Sequence, residues 1–251
     1  MEIRLDGKAM LITGASTGLG RATAVMAGES GAFVGINYCH SEGEAQTTLG
    51  LVEAAGGRGV LLGADVTRRT DVEAMFDAFL GAAGGRLDIL VNNAGGLVKR
   101  SAAEEVSDEV WREVIELNLT STFLCTRRAI PILKAQGSGV IVNISSIAAA
   151  TGGAGGATHY AAAKGAVSTY TMGLAKELAP HNIRVVGLMP GVIPTLFHEK
   201  CTPPEVMERF RQAIPLHRFG KPEHVAAAVV FLASDHADFI TNTSLNISGG
   251  W

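Results

Sequence analysis

Tyr160 and Lys164 stand four residues apart with only alanines between them. On a helix that spacing puts a phenol and an amine on one face, and the alanines leave the face uncrowded. A phenol titrates near pH 10, too high for ready proton exchange at neutrality. An ammonium held beside it favours the phenolate and brings proton transfer within reach. Alone, the spacing also fits an exposed helix with a solvated lysine. Other groups give it weight. Ser145 and Ser146 close the apolar run that begins at Gly139, where a hydroxyl can hydrogen-bond a substrate oxygen. Asn118, inside a long helical pattern, can hold a water that carries protons to Lys164, or can be a helix-interior polar residue that makes a local bend.

A second chemical signal is Thr13-Gly14-Ala15-Ser16-Thr17-Gly18-Leu19-Gly20, between the first apolar run and the first helical pattern. Glycines let such a turn tighten and approach a diphosphate without a Cβ clash, while the following helix offers unpaired N–H groups and a positive dipole end. An ordinary strand-to-helix turn is the plain alternative. A P-loop needs Gly-Lys-Ser/Thr at its end, and here Gly20 is followed by Arg21-Ala22. Gly14 to Gly18 also matches G-x-S-x-G, the hydrolase nucleophile elbow. Ser16 follows the first strand of the chain, however, so no earlier strand exists to supply the second oxyanion donor.

The elements that must position these groups alternate along the chain. Strands are expected at 8–13, 32–38, 59–64, 87–92, 139–145, 183–189 and 244–248. Helices are expected at 19–30, 42–55, 70–83, 108–135, 159–179 and 223–234, with Pro131 bending or shortening the fourth. Continuous apolar strands without polar alternation are covered on both faces, hence parallel. The expected fold is α/β: a single doubly wound Rossmann-type domain over residues 1–251, with a mainly parallel seven-stranded sheet flanked by helices. The proline-rich segment of about 192–215 is irregular and would cover the substrate, with Leu196, Phe197, Phe210 and Ile214 as apolar walls.

Hydrophobic residues make up 47% and charged residues 18% of the chain, which excludes a disordered polymer. A net charge of −3 with scattered basic residues excludes a nucleic-acid partner or an anionic membrane as the main target. Cys39, Cys125 and Cys201 are odd in number and far apart, so neither a disulfide framework nor a metal site is expected and a cytoplasmic setting is. No signal-peptide pattern or membrane-length apolar run is present in the sequence.

Taken in order, the motifs resemble the short-chain dehydrogenase/reductase family over essentially the whole chain. They are TGASTGLG (13–20), DV (65–66), NNAG (92–95), Asn118, NISS (143–146), YAAAK (160–164), PG (190–191) and GGW (249–251). The resemblance implies hydride transfer between a nicotinamide dinucleotide and a carbonyl or alcohol carbon, by a tetrad of Asn118, Ser146, Tyr160 and Lys164. Tyr160 would be the acid/base and Ser146 would position the substrate oxygen. Lys164 would hold the nicotinamide ribose and, with the positive nicotinamide ring, lower the phenol's pKa. Ser146 is chosen over Ser145 by spacing; it lies one residue further from the tyrosine than the family serine usually does.

The cofactor would rest on Gly14, Ser16, Thr17, Gly18, Leu19 and Gly20. Asp65 and Val66 would meet the adenine. Asn92, Ala94 and Gly95 would line the adenosine ribose and brace the sheet. Pro190, Gly191, Ile193 and Thr195 would face the nicotinamide end, where Tyr160 and Lys164 also touch the cofactor. Val186, Met189 and TNTS (241–244) depart from the usual pattern without removing a catalytic group.

NAD enzymes of this fold place an acidic residue at the end of the second strand. Here Tyr38 stands there, followed by Cys39, His40 and Ser41. The missing carboxylate, with His40 or Ser41 able to bond a 2′-phosphate, points to NADP(H), NAD(H) remaining possible. Thr17, where NADP-dependent relatives often have a basic residue, weighs the other way. Lys99 and Arg100 would meet an acidic substrate or carrier, or be solvated. The substrate is a small carbonyl or alcohol compound; 3-oxoacyl carrier-protein reduction and sugar dehydrogenation are the alternatives within the family. A homotetramer is implied, with the final helix, the final strand and Trp251 as assembly surface. A non-catalytic dinucleotide sensor would not need Ser146, Tyr160 and Lys164 together, and a methyltransferase would not need the last two on one helical face.

Overall fold

Seven apolar runs become the strands of one sheet in the computed structural model, which describes residues 3–195 and 202–251. The strands are β1 (Ala9–Ile12), β2 (Phe33–Tyr38), β3 (Arg58–Gly63), β4 (Ile89–Asn92), β5 (Gly139–Ile144), β6 (Ile183–Pro190) and β7 (Ser244–Ile247). Their order is β3-β2-β1-β4-β5-β6-β7, with every neighbouring pair parallel. β1, β4 and nearly all of β5 are buried along their whole length, as unalternating apolar sequence requires.

The helices are α1 (Gly18–Glu29), α2 (Glu42–Ala54), α3 (Arg69–Ala82), α4 (Asp108–Ile115), α5 (Ser121–Gln136), α6 (Ala148–Thr151), α7 (Thr158–Leu178), α8 (Pro204–Ala213) and α9 (Pro222–Ala233). One core joins the sheet to α1, α2 and α9 through Ala24, Val52, Val225 and Val229. The other joins its opposite face to α3, α5 and α7 through Phe76, Phe79, Leu133 and Leu174. Strand order reverses between β1 and β4, so the crevice above their carboxyl ends is where such a sheet binds ligands.

The helix expected over 108–135 is broken, but not at Pro131, which α5 runs through. The break is a π-helical turn at Glu116–Thr120. Three side chains there bond carbonyls one turn back: Asn118 Nδ2 to Val114 O (2.9 Å), Ser121 Oγ to Leu117 O (2.6 Å) and Thr122 Oγ1 to Asn118 O (2.9 Å). Such bonds compete with the backbone ladder. The bend therefore falls at Asn118, where the site needs it.

Candidate active site

A cleft of about 890 Å³ lies over the carboxyl ends of the strands. Its floor at the first turn is held by side-chain-to-backbone bonds. Asn37, the penultimate residue of β2, accepts from Gly14 N (3.0 Å) and donates to Leu62 O and Ala64 O. Asn93 donates to Thr13 O (2.8 Å) and Gly14 O (2.9 Å), while Thr13 Oγ1 accepts from Asn93 N and Ala94 N. Arg21 binds Ser16 O from below (2.6 Å) and pairs with Glu44 (2.6 Å). Gly14 has φ +61°, and a Cβ on it would lie 3.0 Å from Ala94 Cα. A Cβ on Gly20 would strike the Gly14 carbonyl and lie 2.8 Å from Ala15 Cα. The N-terminus of α1 has no side-chain cap and no acidic residue in its first turn. Its open N–H groups, beside Ser16, Thr17 and Gly18 in the cleft wall, fit a diphosphate.

The predicted catalytic groups come from three elements. Ser146 follows β5; its Oγ accepts from Ala148 N (3.1 Å), and its hydroxyl lies near enough to that of Tyr160 to favour the phenolate. Ser145 points elsewhere: its buried Oγ donates to Lys164 O (2.8 Å) and pairs with Ser168 (2.8 Å). The two serines thus have different surroundings, Ser145 engaged by α7 and Ser146 beside Tyr160. Lys164 is buried, its Nζ donating to Ile144 O at 2.8 Å and lying 5.8 Å from the centre of the Tyr160 ring. Gly95 sits between Lys164 and Asn118; a Cβ there would lie 2.9 Å from Lys164 Nζ and 2.7 Å from Asn118 Oδ1. Asn118 is fully buried, its side chain gripping both backbone groups of Gly96, accepting from the N–H (3.1 Å) and donating to the C=O (2.8 Å). Its amide is therefore engaged with the cleft wall behind Lys164.

Burial pushes the Tyr160 phenol up to about 12, and the Ser146 hydrogen bond offsets only part of that rise. Burial also pushes Lys164 down to about 8. The expected lowering of the phenol by Lys164 is thus not achieved by the chain alone. Removal from water dominates at both groups, and the amine is turned to the Ile144 carbonyl.

The other predicted residues mostly line the same cleft. Leu19, Tyr38, His40, Ser41, Asp65 and Val66 stand along the end nearer β2 and β3, and Ala94 and Gly95 at its middle. Pro190, Gly191, Ile193 and Thr195 line it after β6. Gly20 and Asn92 do not line the cleft. Gly20 packs beneath the loop, and Asn92 braces the sheet, its Nδ2 bonded to Asn143 Oδ1 (2.8 Å) and Thr126 Oγ1 (2.9 Å). Of the covering segment, Val192, Ile193, Thr195 and Phe210 reach the cleft, and Ile214 is buried. Leu196 and Phe197 lie outside the described residues, as does Cys201.

Lys99 is exposed, whereas Arg100 clamps the glycine-rich loop after α6, donating to Ala154 O (2.6 Å), Gly155 O (2.9 Å) and Thr202 Oγ1 (3.2 Å). His159, which sequence reasoning passed over, is buried beside Tyr160 and bonds Lys99 O (2.9 Å). Asn37 and Asn93 were also missed as loop supports; a lone asparagine at a strand end carries little signal. Trp251 packs on Phe210 within the cleft, an intrachain place that the assembly-surface reading did not foresee. Among the described residues no cluster of metal-ligating side chains occurs, and no helix is long and apolar enough to cross a membrane.

Residues 14–251 match a family model described as enoyl-(acyl carrier protein) reductase. The oxidoreductase YgfF of Escherichia coli K12, itself uncharacterised, is 40% identical over 96% of this chain and 98% of its own length. A 3-oxoacyl-[acyl-carrier-protein] reductase of Synechocystis is 37% identical over 98% of this chain and 97% of its own. A solved 7α-hydroxysteroid dehydrogenase, complexed with NADH and 7-oxo glycochenodeoxycholic acid, superposes with a TM-score of 0.93 at 32% identity, covering 99% of this chain and 96% of that one. The chain belongs to the short-chain dehydrogenase/reductase family. It is an oxidoreductase of the kind that acts on hydroxyl and keto groups.

Proposed function

We propose that this chain is an NADP(H)-dependent oxidoreductase that interconverts a ketone or aldehyde and its alcohol, with Tyr160 as acid/base. The observation that carries this is the convergence of Ser146, Tyr160 and the buried Lys164 in the cleft that also holds the glycine turn. Two hydroxyls so placed can both address one carbonyl oxygen. A nicotinamide bound along the cleft would supply or accept the hydride. Ser146 donates a hydrogen bond to the substrate oxygen, and Tyr160 gives that oxygen its proton in reduction and takes it back in oxidation. Lys164 holds the ribose of the nicotinamide and relays protons to Tyr160, with Asn118 fixing the wall and the water path behind it.

The choice of NADP(H) over NAD(H) is supported by the end of β2, where Tyr38 replaces a carboxylate and His40 and Ser41 line the cleft. The carboxylate of Glu44 is paired with Arg21, which limits its repulsion of a 2′-phosphate. Segment 192–215 closes over the substrate, and the working assembly is a homotetramer in the cytoplasm.

The test is NADPH oxidation against a panel of ketones, β-ketoesters and sugars, with NADPH and NADH titrated in parallel. Tyr160→Phe should keep the affinity for NADPH and lose about 10²–10⁴-fold in kcat. Normal turnover by that variant refutes the acid/base assignment, and tighter binding of NADH refutes the cofactor choice.

A further inference from the structure

The closing Gly249-Gly250-Trp251 is drawn against the turn that follows α8. Leu216 N donates to Gly249 O (3.1 Å) and Ser248 Oγ to Trp251 O (3.0 Å). A Cβ on Gly249 would lie 2.8 Å from Ile214 Cγ2, and one on Gly250 3.2 Å from Pro215 Cβ; both glycines have positive φ, +69° and +93°. Only glycine permits that approach, and its result is the seating of the Trp251 ring on Phe210, with centroids 5.3 Å apart and planes at 52°. Both rings line the cleft, together with Val98, Ile147, Ala154, Ala157 and Val192.

Building on the oxidoreductase reading above, we propose that Phe210 and Trp251 form a specificity wall that selects aryl or fused-ring carbonyl compounds over sugars and small aliphatic ketones. A tilted aromatic pair offers edges and faces to a third ring, and the small side chains of Ala154 and Ala157 leave room for a flat body. A sugar placed here would bury hydroxyls beside groups that are already engaged. Arg100 bonds the Ala154 and Gly155 carbonyls and Thr151 bonds Ile147 O, and on the proposed function Ser146 and Tyr160 serve the reacting oxygen. Unpaired buried hydroxyls are costly enough to decide specificity.

The experiment compares wild type, Trp251→Ala and Trp251→Phe with NADPH and 2-acetylnaphthalene, cyclohexanone or glucose. Calorimetric titration of 2-acetylnaphthalene into the NADP⁺-saturated protein runs beside the kinetics. Wild type should favour the naphthyl ketone over cyclohexanone by about tenfold or more in kcat/KM, and Trp251→Ala should raise KM for the naphthyl ketone about tenfold. That variant should leave kcat and the cyclohexanone constants within about twofold, and Trp251→Phe should recover most of the loss. Equal losses on both ketones, or a naphthyl-ketone KM indifferent to residue 251, overturn the wall while leaving the oxidoreductase reading intact. A protein that turns over no carbonyl, yet binds the naphthyl ketone about tenfold more weakly as Trp251→Ala, keeps the wall and overturns the activity instead.

Discussion

The two ends of the cleft are built in different ways. At the glycine turn, Thr13, Asn37, Asn93 and Arg21 bond directly to the backbone of residues 13–16 and their neighbours. Each support comes from a strand end or the adjoining helix, so the loop has little freedom. At the substrate end, the wall is assembled from segments far apart in sequence: Arg100 joins the loop at 152–157 to Thr202, and Trp251 leans on Phe210. Four glycines of that loop, at 152, 153, 155 and 156, have positive φ, and Val98, a β-branched residue, sits at +65°. Positive φ is costly for such a side chain and persists only where surrounding structure imposes it. The first end is fixed by local backbone chemistry common to any bound dinucleotide; the second by tertiary contacts that can vary with the substrate.

The largest expected effect is at the wired end. Gly20→Val drives a side chain into the Gly14 carbonyl and should abolish measurable NADPH binding, with a stability loss of roughly 1–3 kcal/mol. Chemical denaturation and fluorescence titration check the two parts; near-normal NADPH affinity would show the loop to be less rigid than described.

Lys164 stands at the seam between the ends. Its folded pKa of about 8 lies below its ordinary 10.5, so between those values the unfolded chain binds more protons and stability rises with pH. The burial penalty is fully present below pH 8. Tyr160 acts oppositely, since its pKa raised from 10 to about 12 makes stability fall across that higher window. Lys164→Met should lose turnover and flatten the rise between pH 8 and 10.5, read as midpoint against pH in urea unfolding. An unchanged slope would mean the amine is solvated.

The smallest effect belongs to the clamped end. Arg100→Met releases the loop at Ala154 and Gly155 and should raise substrate KM about three- to tenfold, with NADPH affinity unchanged. A matching loss of NADPH affinity would erase the distinction between the two ends.

The same division governs what the sequence discloses. The parallel sheet is readable because β1, β4 and β5 are unbroken apolar runs, and the glycine turn because φ and Cβ clearance dictate residue type locally. The preference for Ser146 over Ser145 rests on the family resemblance, since neither residue's type tells the two apart. Pro131 misleads: a proline is a visible helix-breaker, yet the break is made at Asn118 by the combined side chains of Asn118, Ser121 and Thr122. Arg100, His159 and Trp251 take their roles from contacts with residues 41 to 102 positions away. No local pattern encodes those. The direction of the Tyr160 shift is equally hidden, because it depends on how much water the fold removes.

The central claim is that the Ser146 and Tyr160 hydroxyls act as one unit on the carbonyl oxygen. A double-mutant cycle in kcat/KM on Ser146→Ala, Tyr160→Phe and the double variant tests it directly. The account predicts strong non-additivity, the double variant losing about as much as Tyr160→Phe alone. Losses that multiply independently, with each hydroxyl contributing its full effect in the other's absence, would contradict it.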